Sequence, residues 1–262
     1  SAVMADGIRR EEMFITSKLW NDQHDPEKVL PALRQTLNDL RLDYLDAYYI
    51  HWPFSNIHRP GAAGDERHPD SKPYDHKRYM ATYRELEKAV DRGLIRHIGT
   101  SNMTVKKLAP VLREVRIRPA FNQMELHPCF AQPDFYDYLV SEKIMSVGFA
   151  PIGSPMRPER DTDPSDISDI RQPVIVEIAE RHHVHPAVID VKWAVQRGQI
   201  PIPFSIYPDE YYSNLRAVTE DPLSEEEMAR IKSIDFNCRL IKGQVFLWEG
   251  AKSWKELWDE EM

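Results

Sequence analysis

Short apolar runs alternate along the chain with longer stretches whose apolar residues recur at helical spacing. The runs Met13–Leu19, Asp46–Trp52, His97–Ser101, Ala120–Leu126, Met145–Pro151 and Ile200–Ser205 read as strands. Several are almost continuously apolar, the pattern of parallel strands buried on both faces. Between them, Asp25-Pro26-Glu27 is a helix start, after which Val29, Leu33, Leu37 and Leu40 share one face. "MATYRELEKAVDRGL" predicts a helix ending at Gly93. "TVKKLAPVLREV" predicts another, which Pro110 is expected to kink or stop. "QPDFYDYLVSEK", "PVIVEIAERHH" and "HPAVIDVKWAVQRG" predict three more, and Ser224 with Glu227 forms a capping box. Strand–helix alternation at this spacing implies right-handed βαβ units around a parallel sheet, an α/β fold.

Two long segments break the alternation, residues 53–80 and 155–173. Each leaves the C-terminal end of a strand and is rich in Pro, Asp and Ser, so both are expected to wall or cover an active site. The tail 237–262 carries Phe246, Trp248, Trp254 and Trp258 and is expected to pack down.

In a parallel barrel the reactive groups stand at the C-terminal ends of strands. Those ends deliver Lys18 and Trp20, His51 and Trp52, Ser101 and Asn102, then Gln123, Glu125 and His127, then Phe149 with "APIGS", and last "PFS". Taken singly, each has an ordinary structural explanation, such as a lysine that caps a strand and reaches water. Gathered at one rim, they make a polar pocket with aromatic walls the better reading.

"FITSKLW", "LDYLDAYYIHWP", "GLIRHIGTSN", "RPAFNQMELHP", "FAPIGS" and "IPFSIYPDEYYSNL" occur in order from near residue 8 to about residue 240. Together they resemble the aldo-keto reductases of the aldose and aldehyde reductase type. The resemblance implies a single (β/α)8 TIM-type barrel over residues 1–262 and hydride transfer between NAD(H) or NADP(H) and a small carbonyl or alcohol. It implies that Lys18 lowers the pKa of a neighbouring tyrosine acid and that His51 orients the carbonyl or relays the proton. Ser101, Asn102 and Gln123 match the groups that hold the nicotinamide carboxamide, and Phe149 an aromatic that stacks on the ring. Ile152, Gly153 and Ser154 match a pyrophosphate contact. Pro203, Phe204, Ser205, Ile206, Glu210 and Asn214 match the adenosine end, and Trp20 and Trp52 match apolar walls of the substrate pocket.

The chain departs from that pattern twice. The family's catalytic tyrosine lies on a strand upstream of the lysine strand, yet no tyrosine precedes Tyr44. Six strands are read where a closed barrel has eight. The chain is therefore expected to be N-terminally incomplete, about 50 residues short by the length of such units. A shortened relative, or a second chain supplying the missing strands, would also fit. The second departure concerns the adenosine end. Relatives selective for the phosphorylated dinucleotide carry Lys and Arg where this chain has Phe204 and Glu210, so NAD(H) is the expected preference. A non-catalytic dinucleotide-binding or regulatory protein on the same scaffold is the alternative. A lyase or isomerase using Lys18 as a Schiff-base amine ranks third.

Composition narrows the field further. The 262 residues are 42% hydrophobic and 29% charged, with a net charge of −8 and bases interleaved with acids, which argues against a nucleic-acid partner. No apolar run approaches the ~18 residues of a membrane span. Two cysteines, Cys129 and Cys238, fit a reducing, cytoplasmic setting rather than a disulfide framework. His182–His185, and His58, His68 and His76, lack metal-ligand spacing, and no metal is expected.

Overall fold

The computed structural model describes residues 7–57, 66–155, 157 and 159–260. These group into two compact units, one up to Asn122 together with the segment from Gly243 onward, the other Gln123–Lys242.

The first unit holds β1 (Thr16–Leu19), α1 (Pro26–Leu40), β2 (Leu45–Ile50), α2 (His76–Asp91), β3 (Ile95–Ser101) and α3 (Val105–Glu114). β2 pairs in parallel with both β1 and β3. β1 is shorter than the apolar run because the Asp46 carboxylate replaces a ladder partner, accepting from the Ile15 N–H at 2.8 Å. Arg10 and Arg96 balance that buried carboxylate. Asp25 is the residue before α1, but its side chain pairs with Lys28 at 2.8 Å rather than capping the helix. Val29, Leu33 and Leu37 are buried as expected, whereas Leu40 is 42% exposed because the last turn has rotated past the buried stripe. α2 starts at His76, under an Asp75 cap, so the long segment after β2 ends before residue 80. Its residues 58–65, His58 included, lie outside the described residues. Pro110 does not stop α3, which runs four residues further.

Residues paired in a parallel ladder share a face, and so do residues two apart on a strand. Thr16, Lys18, Ala47, Tyr49, His97, Gly99 and Ser101 therefore line one face of this sheet, and Leu19, Tyr48, Ile50, Ile98 and Thr100 the other. The second face meets the helices, with the Tyr48 hydroxyl lying toward Thr36 of α1. On the first face the Tyr49 ring fills the space above Gly99. A Cβ there would lie 2.2 Å from the ring, so only glycine fits.

The C-terminal segment packs onto this unit as the aromatic pattern implied. Phe246, Trp248, Trp254 and Trp258 cluster with Trp52 and Phe54. The buried Lys107 of α3 holds the segment through the Leu257 carbonyl at 2.9 Å and Asp259 at 2.6 Å, so its charge is satisfied.

β4 (Phe121–Glu125) crosses the division between the units. The second unit continues with α4 (Pro133–Ser141), β5 (Met145–Phe149), α5 (Pro173–His182), α6 (Pro186–Gln196), β6 (Ile200–Pro201), α7 (Pro208–Thr219) and α8 (Glu225–Lys232). The Ser224–Glu227 capping box is present. β6 has two residues, not six, because Pro201 and Pro203 have no N–H to donate. Between them, the Ile202 N–H still reaches the Gly148 carbonyl at 3.0 Å. Within residues 155–173, Glu159–Asp161 and Asp169–Arg171 form single 3₁₀ turns, and Pro173 opens α5. His182 is tied to Asp221 and Glu227, and His76 to Tyr74 and Glu114.

Candidate active site

Lys18 and His51 lie on neighbouring strands and the same face. Lys18 pairs with Tyr49, and the His51 N–H continues the ladder to the Leu19 carbonyl at 3.2 Å. Trp20, two residues past Lys18, stacks obliquely on the His51 ring with centroids 5.0 Å apart. Lys18 is half-buried, and burial alone lowers its pKa; no ion pair offsets that cost among the described residues. An uncompensated amine in such a position is costly unless its charge is used. Tyr49, on the same face, was not singled out in the sequence. The pairing register is the signal that finds it. Burial pushes its phenol well above the ordinary range, so it is not tuned as an acid.

At the end of β3 the Asn102 backbone takes a left-handed φ of +56°, which turns its amide back toward β2. Its Nδ2 donates to the His51 carbonyl at 2.9 Å and reaches Ser101 Oγ at 3.3 Å. Asn102 Oδ1 is buried with no partner among the described residues. A buried acceptor left open this way fits an amide N–H from a bound molecule.

Trp20 is 41% exposed, whereas Trp52 is 2% exposed under Phe246 and Trp258, at 4.5 and 5.3 Å between ring centroids. Trp20 is thus open to solvent beside His51, and Trp52 supports the C-terminal segment.

In the second unit Gln123 is buried on β4, and Phe149 ends β5 half-buried. The turn after β5 is strained. Ala150, Gly153 and Ser154 have φ of +50°, +72° and +45°, and the Gly153 N–H closes the turn on the Ala150 carbonyl at 2.9 Å. Beyond β6, Pro203, Ser205 and Asn214 are half-buried, while Ile206 is exposed and Phe204 is 86% exposed. Glu210 turns back onto Ser205 Oγ at 2.6 Å, so a carboxylate, not a cation, occupies the start of α7.

Glu125 and His127 correct the expectation of a polar rim. Both are fully buried. His127 Nδ1 lies 2.9 Å from Asp169 and Nε2 lies 3.2 Å from Glu125, which also accepts from the Leu240 and Ile241 N–H groups. Burial by itself would lower the His127 pKa; hydrogen bonds to Asp169 and Glu125 and their charges overcome it and push it up to about 10. Asp190, also buried, is pushed well above the carboxylate range by burial and then by the Asp169 charge. Asp169 and Asp190 were not picked out in the sequence, since neither falls at a strand end. Burial also pushes the Cys129 thiol far up, so it is no nucleophile.

The family model for the aldo/keto reductase family matches residues 2–235. The chain belongs to the aldo/keto reductase family. An aldo/keto reductase of Synechocystis is 41% identical over 254 residues, covering 97% of this chain and 77% of that protein. Human aldo-keto reductase family 1 member A1 is 37% identical over 238 residues, covering 89% of this chain and 71% of it. Among solved structures, the aldose reductase of Schistosoma japonicum superposes with a TM-score of 0.78 at 31% identity, over 97% of this chain and 78% of that one. The Bombyx mori aldo-keto reductase, solved in complex with NADP, gives 0.77 at 30% identity, over 92% of this chain and 74% of that one. The fold is thus of the (β/α) TIM-barrel type, with six parallel strands among the described residues. As an aldo/keto reductase the chain is a nicotinamide-dependent oxidoreductase. Among the described residues, no helix is long and apolar enough to cross a membrane.

Proposed function

We propose that this aldo/keto reductase interconverts a small aldehyde or ketone and the matching alcohol by direct hydride transfer. The observation that carries the reading is that Lys18 and His51 stand on one sheet face at neighbouring strand ends, with Asn102 hydrogen-bonded to the His51 carbonyl and its own oxygen open. When bound, the reduced nicotinamide supplies the hydride to the carbonyl carbon, and a proton must reach the oxygen.

His51 orients that oxygen and relays to it a proton taken from solvent water, and the Lys18 ammonium stabilises negative charge as it develops there. Lys18 would also depress the pKa of a phenol placed beside it. Asn102 and Ser101 receive the carboxamide. Fixing the ring in this way matters because transfer needs reacting atoms about 3–3.5 Å apart. Residues 152–154 and the start of α7 hold the diphosphate and adenosine. Trp20 lines the substrate side.

We further propose that NAD(H) is preferred over NADP(H). A 2′-phosphate near α7 would meet the Glu210 carboxylate and the apolar Phe204, with no cation at either position. Tenfold tighter binding of NADPH than NADH by fluorescence quenching would refute this preference.

Carbonyl-dependent oxidation of NADH or NADPH, lowered about a hundredfold or more in His51→Ala, is the test of the main reading. The second reading is a dinucleotide-binding protein without turnover. It is favoured by Tyr49, the ladder partner of Lys18, whose ring is buried and packed over Gly99. Tight NADH binding without turnover of any aldehyde, ketone or alcohol would select it.

A further inference from the structure

We propose that the buried His127–Asp169 pair positions the strained turn at residues 150–154 and, through it, the diphosphate of the dinucleotide. The inference rests on the dinucleotide reading above and gives a positioning role to residues that do not touch the ligand.

The contacts form one continuous chain within the second unit. The Leu240 and Ile241 N–H groups donate to Glu125 at 2.8 and 3.1 Å. Glu125 faces one nitrogen of His127 at 3.2 Å, and Asp169 faces the other at 2.9 Å. Asp169 Oδ1 is fixed again by the Cys129 N–H at 2.8 Å. Its other oxygen fills the space beside Gly153, where a Cβ would lie 2.3 Å from it. The carboxylate is therefore clamped by two donors on one side and abuts the turn on the other.

The turn needs such a support. Three of its five residues have left-handed φ, and two of those carry side chains, Ala150 and Ser154. Such a conformation persists only when its surroundings over-determine it. The imidazolium has a second role. Two buried carboxylates beside a diphosphate site would repel an anion, and the positive His127 ring between them offsets that repulsion. Burial and the Asp169 charge push the Asp190 carboxyl upward as well, which disfavours a further negative charge in the cluster.

The test measures binding of NADH, ADP-ribose and AMP to wild type, Asp169→Ala, Asp169→Asn, Gly153→Ala and the Gly153→Ala/Asp169→Ala double variant by calorimetry. Asp169→Ala is expected to weaken NADH and ADP-ribose about tenfold, since they carry the diphosphate, and to leave AMP unchanged. Asp169→Asn, which keeps the shape and an acceptor, should restore most of the loss. Gly153→Ala should show the same selective loss, and the double variant should lose less than the sum, because the clash is gone. If Asp169→Ala does not fold, Gly153→Ala and Asp169→Asn decide the matter. Unchanged ADP-ribose binding in Gly153→Ala, or equal losses for AMP and ADP-ribose, overturns the inference and leaves the dinucleotide reading standing. Wild type that binds none of NADH, NADPH and ADP-ribose overturns both.

Discussion

The side-chain amide of Asn102 donates to the main-chain carbonyl of His51 across 2.9 Å, locking the end of one strand to the end of its neighbour. The bond uses the amide's nitrogen and leaves its oxygen buried and open. It couples the amide proposed to hold the nicotinamide to the backbone that carries the histidine proposed to orient the carbonyl.

Asn102→Gly keeps the left-handed backbone at φ +56° while deleting the amide, so backbone strain does not confound the result. NADH affinity is expected to fall about tenfold, the scale of a lost buried hydrogen bond. Stability should drop by roughly 1 kcal/mol in urea unfolding. Unchanged NADH affinity would remove Asn102 from the carboxamide contact.

Lys18→Met exchanges a half-buried amine for an apolar side chain of similar length. Because burial lowers the Lys18 pKa, the unfolded chain holds more protons than the folded one between the folded value and 10.5. That amine therefore penalises folding below the window, and the penalty is relieved as pH rises through it. The variant should melt roughly 2 °C higher at pH 7, with the gap closing toward pH 10.5, and should lose carbonyl reduction. A lower melting temperature at pH 7 would mean that the lysine contributes stabilising contacts.

His127 titrates in the opposite sense. Despite burial, hydrogen bonds to Asp169 and Glu125 push its folded pKa up from the ordinary 6.5 to about 10. Its stabilisation is fully present below 6.5 and is lost as pH rises through about 10. His127→Gln leaves two buried carboxylates without their cation, which costs about 3–5 kcal/mol. At pH 6 its melting temperature should fall by roughly 10 °C, and the deficit should shrink between pH 7 and 10. A deficit independent of pH would show that the ring is not held as a cation.

The double variant Phe204→Lys with Glu210→Arg places two cations where the chain has an exposed ring and a carboxylate. A charge-assisted contact contributes about 1.5–3 kcal/mol, so NADPH affinity relative to NADH should rise ten- to a hundredfold. No change in the ratio would place the 2′-position of the ribose elsewhere.

The sequence alone carried the periodic features. Apolar runs and helical stripes located six strands and the helices between them, because both patterns depend on neighbours within one pleat or one turn. Strand ends then pointed to Lys18, His51, Ser101 and Asn102, since in a parallel sheet the end of a strand is where its side chains can meet a ligand. Tertiary structure decided which of these groups stay open. Glu125 and His127 looked like rim residues until Asp169, 42 positions later, and Leu240, 115 positions later, closed over them. Trp52 looked like a pocket wall until Phe246 and Trp258 covered it. Burial and long-range pairing depend on which distant segment packs on a residue, and local spacing carries no record of that choice.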